Sequence, residues 1–284
     1  MSSLERVELL SELENKYKTE LNEEEFSKLR NSEELEEWLR RSRERAPGVT
    51  PGFITEKAPS EWARSLPVRS FRRTFQRVIA IPLFKHYLPL TVTGLEHLRD
   101  VTPPVIFAAN HVSHLDTPAV YSALPVRWRR CLAPAMGMDI FRPYFEPKGF
   151  PKKQVWWTGL GYFLALGLFN AYPLPHEMAG VRRALNYTGE LIKRGYCPLV
   201  FPEGLRSPDG TLKPFRPGIG MMAIRLRVPI VPIYIEGLYE VYSVDDSWPK
   251  RGPVRVSFGT SIEFTSGTYD EVAQTIRRAV EDLK

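Results

Sequence analysis

A histidine and an aspartate five positions apart, His111 and Asp116, close the run Pro104–Asp116, PVIFAANHVSHLD. An imidazole with an ordinary pKa of about 6.5 accepts a proton near neutral pH. A carboxylate against its other nitrogen fixes the tautomer and stabilises the imidazolium that forms. The pair is thus the base half of a nucleophilic triad, and it needs no serine or cysteine when the substrate brings its own hydroxyl. Two other readings fit the same residues. A histidine after a strand is often only a loop residue, and an aspartate before a helix only a cap. His111, His114 and Asp116 are also potential metal ligands. Against a metal stand the lack of a His-Glu-x-x-His helix and the presence of only two cysteines, Cys131 and Cys197, far apart in the chain.

Positioning these groups is the task of the elements around them. Val105–Ala109 is short, aliphatic and bounded by Pro104 and Asn110, which predicts a buried strand with His111 just past its end. Asp116, followed by Thr117 and Pro118, predicts a helix N-cap with proline in the first turn. Leu199–Ser207, LVFPEGLRS, is a second apolar run that breaks into a polar turn, here carrying Glu203, Gly204 and Arg206.

Together, Asn-His-x-Ser-x-x-Asp at 110–116 and Phe-Pro-Glu-Gly-x-Arg-Ser at 201–207 resemble the glycerolipid acyltransferases of the PlsC-like, 1-acylglycerol-3-phosphate acyltransferase family. That family's third signature resembles Gly167–His176, GLFNAYPLPH, and its fourth resembles Val228–Ile233, VPIVPI. The resemblance implies a general base at His111 with Asp116, and an acceptor-binding turn at Glu203, Gly204, Arg206 and Ser207. Many members carry an arginine where this chain has His176, so Arg182 or Arg183 is expected to supply a cation unless the acceptor is less charged. The implied activity moves a fatty acyl group from acyl-CoA or acyl carrier protein to a hydroxyl of a lysophospholipid or glycerol phosphate, with no metal and no cofactor beyond the donor. Acylation of another lipid hydroxyl, or a non-catalytic lipid-binding or carrier-docking protein, are the alternatives.

The formal net charge of +6 over 284 residues favours anionic partners, among them anionic lipid, phosphorylated small molecules and nucleic acid. Nucleic acid has only this balance in its favour and is not expected as a partner. Arg64, Arg69, Arg72, Arg73 and Arg77 interleave with Phe71, Phe75, Val78 and Ile79. That pattern predicts a helix lying on an anionic membrane surface, or one whose apolar side packs on the core while the arginines are solvated. Residues 155–172 carry no charge and approach the shortest spanning length. Their glycines and Pro173 favour a buried or interfacial helix, with Trp156, Trp157 and Tyr162 at headgroup level. No signal peptide is visible in MSSLERVELL, and two widely separated cysteines suit a reducing compartment, so the cytoplasmic face of a membrane is the expected location.

Residues 1–45 are acidic, with leucines at helical spacing. They resemble the part of an acyl carrier protein that begins at its carrier serine, which would place a phosphopantetheine arm on Ser3. The first carrier helix is missing and Ser2 replaces the usual aspartate, so this segment is read as a carrier remnant or docking arm. Residues 46–60, APGVTPGFITEKAPS, have linker composition, leaving 61–284 as the acyltransferase domain. From 171 onward, strand and helix patterns alternate. The predicted order is a strand at 171–175, a helix ending at Gly195, strands at CPLVF and VPIVPIYIEG around a helix closed by Pro229, a strand at RVSFGTSI and a terminal helix. This predicts a layered α/β domain with a largely parallel sheet flanked by helices, with sites at the carboxyl ends of strands.

Overall fold

Apolar runs four to seven residues long, too short for helices, form the centre of the molecule. The structure, a computed structural model, describes residues 26, 31, 34–38, 61–174, 181–243, 246 and 248–284. Ser3, the linker 46–60 and His176 lie outside these residues, as does most of 1–45. Among the described residues seven strands make one sheet: β1 (Leu90–Thr93), β2 (Ile106–Ala109), β3 (Leu132–Gly137), β4 (Tyr172–Leu174), β5 (Cys197–Val200), β6 (Ile230–Glu236) and β7 (Val254–Phe258). Their order is β1-β7-β6-β2-β5-β3-β4, and every pairing is parallel except β6 with β7.

Helices cover both faces of the sheet, so the central strands are apolar at every position. Along β2, Phe107 and Ala109 enter one core with Leu199, Val231 and Trp128, while Ile106 and Ala108 enter the other with Val200, Ile219 and Ile276. The main helices are α1 (Leu66–Phe75), α2 (Ile81–Tyr87), α3 (Asp116–Ala123), α4 (Lys152–Phe169), α5 (Val181–Lys193), α6 (Gly218–Leu226) and α7 (Tyr269–Glu281). A π-helical turn, Gln76–Ala80, joins α1 to α2. Thr268 and Glu271 form a reciprocal capping box at the start of α7.

The structure differs from the sequence reading at several points. Strands β1 and β3 escape the pattern. LTVT is a short edge strand with half its residues exposed, and LAPAMG lacks the β-branched residues that mark strands. Helix α6 is closed by Arg227 in the left-handed region (φ 51°), ahead of Pro229. The cysteines, distant in sequence, meet: β3 and β5 are neighbours, and Cys197 Sγ lies 3.3 Å from Cys131 Sγ, both as free thiols.

The arginine-rich segment is also sorted differently. Arg72 is buried, with Nε donating to Gly167 O at 2.7 Å and Nη2 to Leu166 O at 3.0 Å and to Ala63 O. Gln76 Nε2 donates to Leu168 O at 2.7 Å. A helix leaves its last carbonyls without internal partners, and here α1 and the π-turn supply donors to the end of α4. Arg64 likewise binds the Tyr187 hydroxyl at 2.9 Å, so Arg73 and Arg77 are the members of the series that stay exposed. No helix among the described residues is long and apolar enough to cross a membrane. Leu66, Phe71, Val78, Ile79 and Leu83 nonetheless face outward on α1, the π-turn and α2, as do Trp156, Trp157, Phe163 and Leu164 on α4.

Candidate active site

Because β2 and β5 are adjacent and parallel, with Ala108 opposite Val200, their carboxyl ends open on the same side of the sheet. His111 leaves one end and Glu203 the other. Asn110 extends the ladder by side chain: its Nδ2 donates to Ile235 O at 2.9 Å, and Ile235 N donates to its Oδ1 at 2.7 Å. The carboxamide thereby fixes where His111 begins.

His111 Nδ1 lies 2.7 Å from Asp116 Oδ2. The same oxygen accepts the backbone N–H groups of Val112 at 2.8 Å and Ser113 at 2.9 Å. Asp116 is therefore not the N-cap that the sequence predicts. Leu115 holds that position, and the Asp116 carboxylate turns back into the loop preceding α3. The aspartate is fully buried, whereas the histidine side chain keeps 23% of its exposure. A carboxylate at Nδ1 favours the tautomer with the proton on that nitrogen, which leaves the Nε2 lone pair able to accept a proton. Phe201 stacks on the ring, with centroids 4.2 Å apart and planes 20° from parallel.

The turn after β5 is tied to this loop. Glu203 Oε1 accepts from His111 N at 2.9 Å, and Ser207 N donates to His111 O at 2.8 Å. Glu203 Oε2 accepts from Lys213 N at 3.0 Å. Burial pushes the Glu203 carboxyl above its ordinary value, against the opposing pull of those two N–H donors. Both of its oxygens are occupied by backbone, so Glu203 joins the two turns rather than facing outward. Ser207 is buried as well, its Oγ donating to Asp209 Oδ1 at 2.8 Å, which leaves the hydroxyl engaged within the loop.

Gly204 has a φ of +81°, which a residue with a side chain rarely adopts. Arg206 is half-buried, and its Nη1 is buried without a hydrogen-bond acceptor among the described residues. Loss of hydration, followed by the positive charge of nearby Arg206, holds the His114 imidazole below its ordinary value. Arg206 therefore lies within electrostatic reach of the loop that carries His111 and His114. Arg182 and Arg183 fall in the first turn of α5. No group of three or more His, Cys, Asp or Glu that could hold a metal occurs among the described residues.

Asn110 and Phe201 open the two sequence motifs, but their roles as ladder extension and ring-stacking partner are not written in the pattern. A second arginine, Arg216, has no signal in the sequence: it lies ten positions beyond Arg206 in a stretch that reads as loop.

Fold and site together define an α/β protein with an aspartate-oriented imidazole beside an arginine-bearing turn at the carboxyl end of a parallel sheet. A family model described as Acyltransferase matches residues 89–236, just over half of the chain, and the chain belongs to that family. Among curated relatives, the 1-acyl-sn-glycerol-3-phosphate acyltransferase of Limnanthes alba is 23% identical over 190 residues, covering 67% of this chain and 60% of the relative. The mouse 1-acyl-sn-glycerol-3-phosphate acyltransferase alpha is 27% identical over 196 residues, covering 66% and 61%. The chain thus spans about 60% of the length of these relatives. The crystal structure of the 1-acyl-sn-glycerophosphate acyltransferase PlsC from Thermotoga maritima superposes with a TM-score of 0.51 at 24% identity, covering 76% of this chain and 80% of that one. At that identity the likeness is one of fold.

Proposed function

We propose that this protein transfers a fatty acyl group from a thioester, acyl-CoA or acyl carrier protein, to the hydroxyl of a glycerol phosphate or lysophospholipid. The observation that carries the reading is the 2.7 Å contact between His111 and Asp116, held beside the Glu203–Arg206 turn by the bond from His111 N to Glu203. As the acceptor oxygen bonds to the thioester carbon, its proton passes to Nε2 of His111, and Asp116 stabilises the imidazolium. Collapse of the tetrahedral oxyanion breaks the C–S bond, and the departing thiolate takes the proton back. The products are an ester and a free thiol. Arg206 Nη1 is a buried donor that an acceptor phosphate oxygen would satisfy.

The fold offers a place for the apolar partners of such a reaction. An open cavity of about 720 Å³ lies along α4, lined by Tyr144, Phe150, Val155, Trp156, Leu160 and Phe163, and suits an acyl chain. The outward apolar residues of α1, α2 and α4, with exposed Arg73, Arg77, Lys152 and Lys153, suit an anionic membrane surface. A second reading, acylation of a lipid hydroxyl without phosphate, is favoured by His176 at the position where the family signature that the sequence resembles implies an arginine.

Thiol release from palmitoyl-CoA, measured with lysophosphatidate, glycerol 3-phosphate and an uncharged monoacylglycerol, tests both readings. Acceptor-dependent release that is lost in His111→Ala is expected. Release surviving that substitution would refute the mechanism, and preference for the uncharged lipid would favour the second reading.

A further inference from the structure

Two arginines, not one, meet at the turn after β5. A side-chain carbon built on Gly204 would fall 2.5 Å from Arg216 Nε and 2.6 Å from its Cζ, so the second guanidinium lies directly over the bare face of that glycine. The placement is enforced by the backbone. Lys213 N donates to Glu203 Oε2 at 3.0 Å and Arg216 N to Pro202 O at 2.9 Å, so the segment 213–216 is bound back onto the turn at two points. Buried Phe215 on one side, and Pro217 with the start of α6 on the other, fix the backbone from which Arg216 projects. The side chain itself is exposed. Arg206 belongs to the same turn, two residues beyond Gly204, and its buried Nη1 has no acceptor among the described residues.

We propose that Arg216 is the second cation of the acceptor site, so that a phosphomonoester is held between the guanidinium groups of Arg206 and Arg216 across Gly204. The inference rests on the acyl-transfer reading above and adds to it the residue that confers preference for a phosphate-bearing acceptor. A phosphomonoester carries about −1.5 to −2 charges near neutral pH and three acceptor oxygens, more than one guanidinium neutralises. Two planar forks supply both the charge and the donors. The bare face of Gly204 has two causes that agree: the left-handed backbone and the guanidinium seated on it. Neither Arg182 nor Arg183 is then needed to make up for His176. Coenzyme A offers the same phosphate chemistry from the donor side, and the assignment here is to the acceptor.

The test compares Arg216→Gln, Arg216→Lys and a control, Arg278→Gln, on exposed α7 surface, each confirmed folded by thermal melting of the full chain. Arg216→Gln is expected to raise KM for lysophosphatidate about 10- to 100-fold, the loss of one hydrogen-bonded charged contact. KM for palmitoyl-CoA and turnover of monoacylglycerol should change less than about threefold on the same scale. Arg216→Lys should fall between, since it keeps the charge and loses the fork. Binding of glycerol 3-phosphate by calorimetry gives the same comparison without turnover and should weaken in Arg216→Gln. Unchanged KM and unchanged glycerol 3-phosphate binding would overturn the proposal. So would a rise in KM for palmitoyl-CoA instead, or an equal effect from Arg278→Gln. Absence of thiol release with every acceptor, while glycerol 3-phosphate binding still depends on Arg216, would instead defeat the acyl-transfer reading alone.

Discussion

Asp116→Asn removes a charge and almost no volume, and the loop around it decides how much activity that costs. One carboxylate oxygen, Oδ2, accepts three N–H groups: His111 Nδ1, Val112 N and Ser113 N. An amide nitrogen cannot accept a hydrogen bond, so asparagine must place its carbonyl oxygen there. The flipped rotamer would set an NH2 group against two buried backbone donors, at roughly 2–6 kcal/mol for the pair. The His111 tautomer is therefore kept, and the about 10⁴-fold loss that accompanies a wrong tautomer in a triad does not follow. What remains is the difference between charged and neutral hydrogen bonds to the forming imidazolium, about 1–2 kcal/mol. That is about 5- to 30-fold in kcat, set against about 10²- to 10⁴-fold for His111→Ala. Asp116→Ala, by contrast, orphans all three donors and should lower the melting temperature by about 5–10 °C. Thiol-release kinetics with palmitoyl-CoA and lysophosphatidate, paired with thermal melts, read all three variants. An Asp116→Asn protein that melts normally but is as inactive as His111→Ala would refute the argument that the loop amides hold the tautomer, and full activity would remove Asp116 from the mechanism.

Arg72→Met should cost about 2–5 kcal/mol in chemical unfolding, because it strips donors from the carbonyls of Ala63, Leu166 and Gly167; stability near that of the parent would show that the clamp on α4 is dispensable. Arg73→Gln with Arg77→Gln should leave melting unchanged but weaken sedimentation with anionic vesicles at low salt, by about fivefold per arginine, and equal binding to neutral vesicles would refute the electrostatic attraction. The His114 pKa is lowered in the folded state, so as pH falls below about 6.5 the unfolded chain takes up the proton first and stability is lost. His114→Gln should flatten that part of the stability profile, and an unchanged slope in urea titrations between pH 7 and 5.5 would argue against it. A chain starting at Glu61 should fold and release thiol from palmitoyl-CoA with a short-chain acceptor; failure to fold would make the acidic N-terminal residues part of the core.

What the sequence could determine by itself was whatever is written locally. An apolar run of strand length that breaks at Asn110, and another that breaks at Pro202, is a one-dimensional signal. From it follow two buried strands and two polar turns, and α/β alternation then puts both turns at the carboxyl ends. The helices α5 and α7 were legible for the same reason, through their apolar spacing. Strands β1 and β3 were not, because a half-exposed edge and a proline-containing run carry weak local preference and are held by their neighbours. Tertiary structure alone decided which polar groups meet. Spacing brings Asp116 near His111, but only the fold of the loop turns its carboxylate onto Val112 and Ser113 rather than onto the helix it precedes. Arg72, one of five alternating arginines, is chosen by the end of α4, nearly a hundred residues away, where carbonyls lack donors. Glu203 is likewise claimed by amides of His111 and Lys213, and only the fold lays the exposed Arg216 over the bare face of Gly204. The physical reason is common to Asp116, Arg72 and Glu203. A buried donor or acceptor must be satisfied by whatever the fold brings within about 3 Å, and that partner is set by the path of the chain through space rather than by its order.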